Sequence, residues 1–287
     1  MIINWYPGHM AKAKRLIQAN LKIIDVVIEL VDARIPWSST NPMISQLIGQ
    51  KPSVVVLNKA DLADAAVLDD WIRYYKTQGR LVMALNSKDG KGVKSLMALV
   101  RRLAAPKLEH WRARGLKNRS VRTMILGIPN VGKSTLINKL ARRSAAKTAD
   151  KPGETKGKQW VHIGDQLDLL DTPGVLWPKL ENQVSAYRLA ATGAISDTVF
   201  DMETVITQLI TDLGTWYPEE VKVRFKLDSL CEAPLDTIEA IGRKRGCIVA
   251  GGVVDLEKTY KLILKEYREG KIGRISLDRV EEAKEDA

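Results

Sequence analysis

GIPNVGKSTL, residues 127–136, satisfies the spacing G-x-x-x-x-G-K-[ST] in full. The apolar run VRTMILG leads into it, and the helix-like stretch KSTLINKLARR comes after. Glycines let the backbone curl so that successive N–H groups point at one anion. The opening of a helix adds a favourable dipole. A strand, this curl and a helix together predict a nucleotide-phosphate cradle in an α/β fold. Lys133 is expected to reach the β- and γ-phosphates and Ser134 to bind Mg2+. Asn130, Val131, Gly132 and Thr135 complete the predicted nucleotide contact.

Two further stretches downstream fit the same chemistry. Asp171-Thr-Pro-Gly174 ends the hydrophobic run QLDLL. An acid there can hold Mg2+, usually through water, and the Gly174 N–H can meet the γ-phosphate. Thr155, in KPGETKG, lies in a Gly/Pro-bearing loop between the two motifs, where a switch threonine offers its hydroxyl to Mg2+. An ordinary polar loop residue is the alternative for Thr155.

The base-reading chemistry lies upstream of the cradle. Asn58-Lys59-Ala60-Asp61 ends the buried run SVVVL. A carboxylate at 61 can accept from guanine N1–H and its exocyclic amine together. Adenine lacks that pair of donors, so binding it would leave a buried charge unpaired, at a cost of about 1.5–3 kcal/mol. Lys59 is expected over the base plane, with Asn58 supporting the loop. Asn86-Ser87-Lys88 ends the next strand in the same way and reads as a second base loop. Strand ends are where open α/β sheets bind ligands. The order of motifs is thus that of a GTP-binding protein rotated around its ring. The old termini would be joined through the basic stretch 101–122, which carries Pro106 and the single acid Glu109. The new break falls just after DTPG, so the second switch is tied directly to the C-terminal third of the chain.

That C-terminal third differs in texture from the rest. IIDVVIELVDAR, SVVVLN, RLVMAL, VRTMILG, KQWVHIG and QLDLL read as strands alternating with helices, which predicts a mostly parallel sheet with helices on both faces. After Trp177, residues 183–195, 201–214, 218–226, 234–245 and 253–270 all read as helices, ahead of a charged tail. The expected fold is a circularly permuted P-loop GTPase domain over residues 1–180, succeeded by a smaller all-α domain over 181–287.

Bulk properties set the limits. The chain has 287 residues, net charge +11 and 45% hydrophobic residues. That charge suits a polyanionic partner, most often nucleic acid, or a generically basic protein. Asp25 and Glu29 interrupt the longest apolar run, IIDVVIELV, so no membrane span is expected. The start MIIN and the end KEDA carry no lipidation signal. Cys231 and Cys247 make no metal or redox spacing, which suits a reducing cytoplasm.

NWYPGHMAKA, VDARIP, NKAD, GIPNVGKSTLIN, PGETKGKQW and LLDTPGVLWP together resemble the ribosome biogenesis GTPase A family of circularly permuted GTPases. The resemblance implies GTP and GDP binding, slow hydrolysis stimulated on the pre-ribosome, and action in maturation of the large ribosomal subunit with contact to its rRNA. It implies neither a membrane nor a DNA partner. A Ras-like protein places a glutamine after DxxG to orient the attacking water; here Val175 stands there. The resemblance implies His9 as the catalytic replacement, since an imidazole titrating near neutrality can orient water. A packing histidine is the alternative. Asn130 resembles GTPases that use K+ beside the phosphates, although it could instead only shape the turn. The basic linker (Arg112, Arg114, Lys117) and RKRG at 243–246 could track an RNA backbone. Trp5, Tyr6, Trp37, Trp160 and Trp177 could stack bases or simply pack. Two competing readings stay open at this point: a signalling or trafficking G protein with a protein effector, and a non-catalytic GTP-dependent scaffold.

Overall fold

The computed structural model describes residues 7–115, 119–145, 160–164, 167–172, 174, 176 and 182–285, with backbone only at 7–13, 143–145 and 285. In chain order the elements are α1 (Pro7–Leu21), β1 (Val26–Asp32), α2 (Pro36–Ser39), α3 (Pro42–Ile48), β2 (Ser53–Asn58), α4 (Ala65–Thr77), β3 (Val82–Leu85), α5 (Val93–Ala113), β4 (Val121–Gly127) and α6 (Lys133–Ala145). They continue as β5 (Trp160–Ile163), β6 (Leu167–Leu170), α7 (Gln183–Thr192), α8 (Met202–Trp216), α9 (Pro218–Phe225), α10 (Pro234–Lys244), α11 (Leu256–Arg268) and α12 (Val280–Glu285).

The six-stranded sheet has the order β3-β2-β1-β4-β6-β5. Every neighbouring pair is parallel except β5 and β6. Strand β1 is buried along its whole length, as a central strand covered on both faces must be. Its residues alternate with period two. Val26, Ile28 and Leu30 face α5 and α6, while Val27 packs with Ile17 of α1 and Ile44 of α3. On the same side as Val27, Val31 joins Val55 and Leu57 of β2 against Trp71 and Tyr75 of α4. Glu29 also falls on β1; its buried carboxylate is paired with Arg80.

The join between β3 and β4 differs from a simple linker. Helix α5 runs on through Pro106 to Ala113. A proline inside a helix forfeits one backbone bond and typically costs about 3 kcal/mol. Tertiary contacts offset this. Ala104 and Trp111 are buried, Lys107 Nζ pairs with the buried Asp25 at 2.6 Å, and the Arg119 guanidinium lies 3.7 Å from the centre of the Trp111 ring. The second oxygen of Asp25 accepts from Arg122 N (2.9 Å), so one acid at the start of β1 anchors both α5 and β4.

The C-terminal helices share a continuous apolar cluster with the sheet. Leu176, Leu189, Leu209 and Ile263 belong to the same buried group as Ile28 and Ile125. The chain then returns to the sheet's other face. Val280 and Ala283 of α12 pack with Trp71, so the segment expected to be a charged tail closes over α4. Asp278 is the pin. It is fully buried, and accepts from Ser38 N (2.7 Å), Ser38 Oγ (2.8 Å) and Arg188 Nη1 (3.1 Å). Arg188 also holds Glu282 and lies near Asp212. Removing one member of such a group leaves a buried charge short of a partner. Asp278→Ala is therefore expected to cost about 3 kcal/mol, read as a lower urea midpoint. A midpoint unchanged from the parent would contradict this.

Candidate nucleotide site

The ends of β1, β2, β3, β4 and β6 meet at one edge of the sheet, because four of the five strand pairings are parallel. One side chain joins three of the loops there. Asn58, at the end of β2, is completely buried. Its Nδ2 donates to Val131 O in the Gly127–Lys133 loop (2.8 Å), and its Oδ1 accepts from Ser87 N in the loop after β3 (3.0 Å). A side-chain amide offers a donor and an acceptor at opposite ends, and both are used. Gly132 is required beside it. Its φ is +102°, and a Cβ would lie 2.3 Å from Asn58 Nδ2.

The phosphate-type loop is closed on itself. Lys133 opens α6 with a buried side chain, and its Nζ donates to Gly127 O (3.1 Å) and Ile128 O (2.6 Å). Burial lowers its pKa to about 8, partly opposed by Asp171. Ser134 and Thr135 are exposed at the first turn of α6. Asn130 takes a left-handed conformation, φ 56°, and its Nδ2 donates to Gly193 O at the end of α7 (2.7 Å). Val131 is buried against the apolar cluster.

Strand β6 delivers the acid. Burial pushes the Asp171 carboxyl up from its ordinary value, against the pull of Lys133 and the Thr172 backbone. Thr172 Oγ1 donates to Ile125 O (2.5 Å) and fixes this strand end against β4. Gly174 then passes so close to the loop that a Cβ would lie 2.8 Å from Pro129 Cα and 3.0 Å from Lys133 Nζ.

The two upstream loops have their own supports. Lys59 has φ 60°, and its Nζ pairs with Asp32 Oδ2 at 2.9 Å. Asp32 lies at the end of β1 and also accepts from Arg34 N (3.1 Å), Nε (3.0 Å) and Nη2 (2.8 Å). Burial alone would raise the Asp32 pKa, but Arg34 and Lys59 overcome it and hold the acid ionised. Asp61 is exposed two residues beyond Lys59. In the next loop Asn86 Oδ1 accepts from Lys88 N (2.8 Å) and Asp89 N (3.3 Å), a local turn that shapes the Asn86–Lys88 stretch. Lys88 is exposed, and its carbonyl accepts from Lys139 of α6 (3.2 Å).

Most of the sequence-predicted residues therefore gather at one edge. Thr155 and Val175 lie outside the described residues, as does the side chain of His9, whose backbone belongs to α1. Among the aromatics, Trp160 packs against the cluster of Met124 and Leu126, and Trp37 against that of Val31 and Trp71. Trp5, Tyr6, Trp177 and Lys117 lie outside the described residues, while Arg112 and Arg114 are exposed. In the 243–246 stretch, Arg243 pairs with Glu239 and Arg245 with Glu266. Asp32 and Arg34, the partners of Lys59 in this group, carried no assigned role in the sequence. Their one visible signal was an acid and a base two residues apart at a strand end.

Comparison with known proteins fits this geometry. Residues 122–224 match the family described as a 50S ribosome-binding GTPase, a stretch that begins at β4 and leaves the β2 and β3 loops outside it. Ribosome biogenesis GTPase A of Priestia megaterium is 49% identical, over 99% of this chain and 99% of that protein. The chain belongs to the ribosome biogenesis GTPase A family. Among solved structures, GDP-bound YlqF matches with a TM-score of 0.67 and 26% identity, over 93% of this chain and 100% of that one. GNP-bound YlqF from T. maritima matches with a TM-score of 0.66 and 27% identity, over 93% and 98%. The fold is a circularly permuted P-loop GTPase, in which the strands β2 and β3 precede the cradle and its helix α6 in the chain.

Asn58 provides a test independent of any ligand. Asn58→Ala leaves Val131 O and Ser87 N without their buried partner, an expected loss of about 3 kcal/mol in urea unfolding. Asn58→Asp is expected to be worse, because a carboxylate cannot donate to Val131 O and would bury a charge against it. Equal stability of Asn58→Asp and the parent would contradict the bridge.

Proposed function

We propose that this chain binds GTP across the ends of β2, β3, β4 and β6 and hydrolyses it as an assembly factor for the large ribosomal subunit. Family membership makes it a GTPase of ribosome assembly. The finer reading of contact with a subunit precursor and its rRNA rests on the net charge of +11 and on the relatives' names. The observation that carries the site assignment is the Asn58 amide, which ties the Asn58–Asp61 loop, the Ser87 loop and the Gly127–Lys133 loop into one unit.

In this assignment the Lys133 ammonium exchanges the carbonyls of Gly127 and Ile128 for β- and γ-phosphate oxygens. The backbone N–H groups around Gly132 and the start of α6 receive the remaining phosphate charge. Asp61 accepts from the guanine edge, and Lys59, fixed at its tip by Asp32, lays its stem along the base. Asn86, Ser87 and Lys88 close the other side of the base.

Mg2+ would be held by Ser134, Thr155 and Asp171 together with phosphate oxygens, and would neutralise charge on the transferred group. The chain's oxygen donors suit a hard cation that binds few protein groups and keeps several waters. A K+ beside the phosphates would take Asn130 Oδ1, since the amide nitrogen is committed to Gly193 O. His9 is the proposed group that orients the attacking water, in place of the glutamine that Val175 replaces.

Sedimentation tests the ribosomal output. The chain should co-sediment with large ribosomal subunits more strongly with a non-hydrolysable GTP analogue than with GDP, and those subunits should raise its turnover. Binding that ignores the nucleotide would favour a different output. A pH titration tests the phosphate contact. Lys133 titrates at about 8 in the free protein, so it is charged below that pH and neutral above it. Nucleotide affinity should be level below about pH 7 and fall roughly tenfold per unit above about pH 8, with proton uptake on binding. Affinity flat through about pH 9.5 would remove Lys133 from phosphate binding.

A further inference from the structure

The loop that carries Asp61 is held from outside the sheet. Strand β2 ends at Asn58, and Lys59 turns the chain with φ 60°, a conformation uncommon for a side chain of this kind. Within the sheet region the loop is held by the Lys59–Asp32 ion pair (2.9 Å) and by Ala60 N to Leu85 O (3.2 Å), with its own turn closed by Leu62 N to Lys59 O (2.9 Å).

The other supports come from the segment after α11. The Arg274 guanidinium donates through Nε to Ala63 O (2.8 Å) and through Nη2 to Ala60 O (3.2 Å). Ile275 N donates to Leu62 O (2.9 Å). Asp64 N donates to Ser276 Oγ (3.1 Å), and Ser276 N is held in turn by the Tyr217 hydroxyl (3.1 Å). Leu62 fills the space over Gly270, where a Cβ would lie 2.6 Å from Leu62 Cδ2. The peptide carbonyls on both sides of Asp61 are thus bonded to one strap, residues 270–278. More than two hundred residues of chain separate the loop from that strap.

We propose that this strap, with Arg274 as its positioning residue, sets where the Asp61 carboxylate stands and so how strictly the site selects guanine. The proposal rests on Asp61 as the reader of the guanine edge. A carboxylate gains two hydrogen bonds from guanine only when both oxygens are correctly placed, since such bonds weaken steeply with angle and distance. The planar fork of Arg274 grips the loop at Ala60 and Ala63, either side of Asp61. A lysine gathers its donors on one nitrogen and cannot reproduce the two separate donor positions, Nε and Nη2, that the guanidinium uses. Arg274 is itself exposed, and Ile275, Ser276 and Leu277 keep the strap buried without it.

The test compares the full-length parent, Arg274→Ala, Arg274→Lys and Asp61→Asn. Dissociation constants are measured for GDP, for the inosine diphosphate that lacks the exocyclic amine, for xanthosine diphosphate and for inorganic pyrophosphate. Arg274→Ala should lower the preference for GDP over the inosine nucleotide about tenfold, raise KM for GTP with kcat unchanged, and leave pyrophosphate binding and the thermal midpoint as in the parent. Arg274→Lys should recover only part of the preference. Asp61→Asn should turn selection toward xanthine. If Asp61→Asn does so while Arg274→Ala keeps the parent's preference, the strap has no role in selection and the proposal fails. If Asp61→Asn leaves guanine selection untouched, the base-reading assignment fails and the proposal with it.

Discussion

The site depends on one buried amide. Asn58 is completely buried, and its two hydrogen bonds fix the separation of three loops that are far apart in the chain. That is why a rotated order of motifs is tolerable. A parallel sheet brings strand ends to one edge whichever strand is made first, and the contacts there need only the right neighbours. The amide supplies the registration that chain connectivity would otherwise have to impose. Gly132 is the counterpart of this constraint, since any larger residue would occupy the place of the Asn58 nitrogen.

Around that centre the charges are arranged in pairs. Asp32 holds both Lys59 and Arg34, which fixes the Lys59 ammonium to the end of the central strand. Among the described residues, the hydrogen-bond partners of Lys133 Nζ are the carbonyls of Gly127 and Ile128, and burial destabilises its charge. An ammonium in that condition is prepared for an anion. The helical C-terminal region touches both halves of the site. Gly193 receives Asn130 from the cradle, and residues 274–276 bond the loop of Asp61. Both loops are thereby bonded to the helical region.

Much of this was legible in the sequence because it is local. The strands announce themselves as β-branched runs ending in short polar motifs, and β1, β2 and β4 end where Asp32, Asn58 and Gly127 stand. The elements that escaped are those decided by distant contacts. Pro106 signals a helix break, yet Asp25 and Trp111 carry α5 past it. The acidic end of the chain has too few apolar residues to show a periodicity, and α12 forms because Val280 and Ala283 find Trp71. Asp278 and Ser38 meet across 240 residues, and no window along the chain contains both. Arg274 escaped for the same reason. An exposed arginine near a basic chain's end looks like a solubilising charge until its two carbonyl partners are seen.

The central claim is that loops from the first third of the chain and loops from its middle converge on a single guanine nucleotide. A crystal structure of the full chain with GDP and Mg2+ tests it most directly. The account predicts the Asp61 carboxylate about 3 Å from guanine N1 and from the exocyclic amine, in the same molecule whose Lys133 ammonium contacts the β-phosphate. Diphosphate on Lys133 with the base turned away from Asp61 would contradict it.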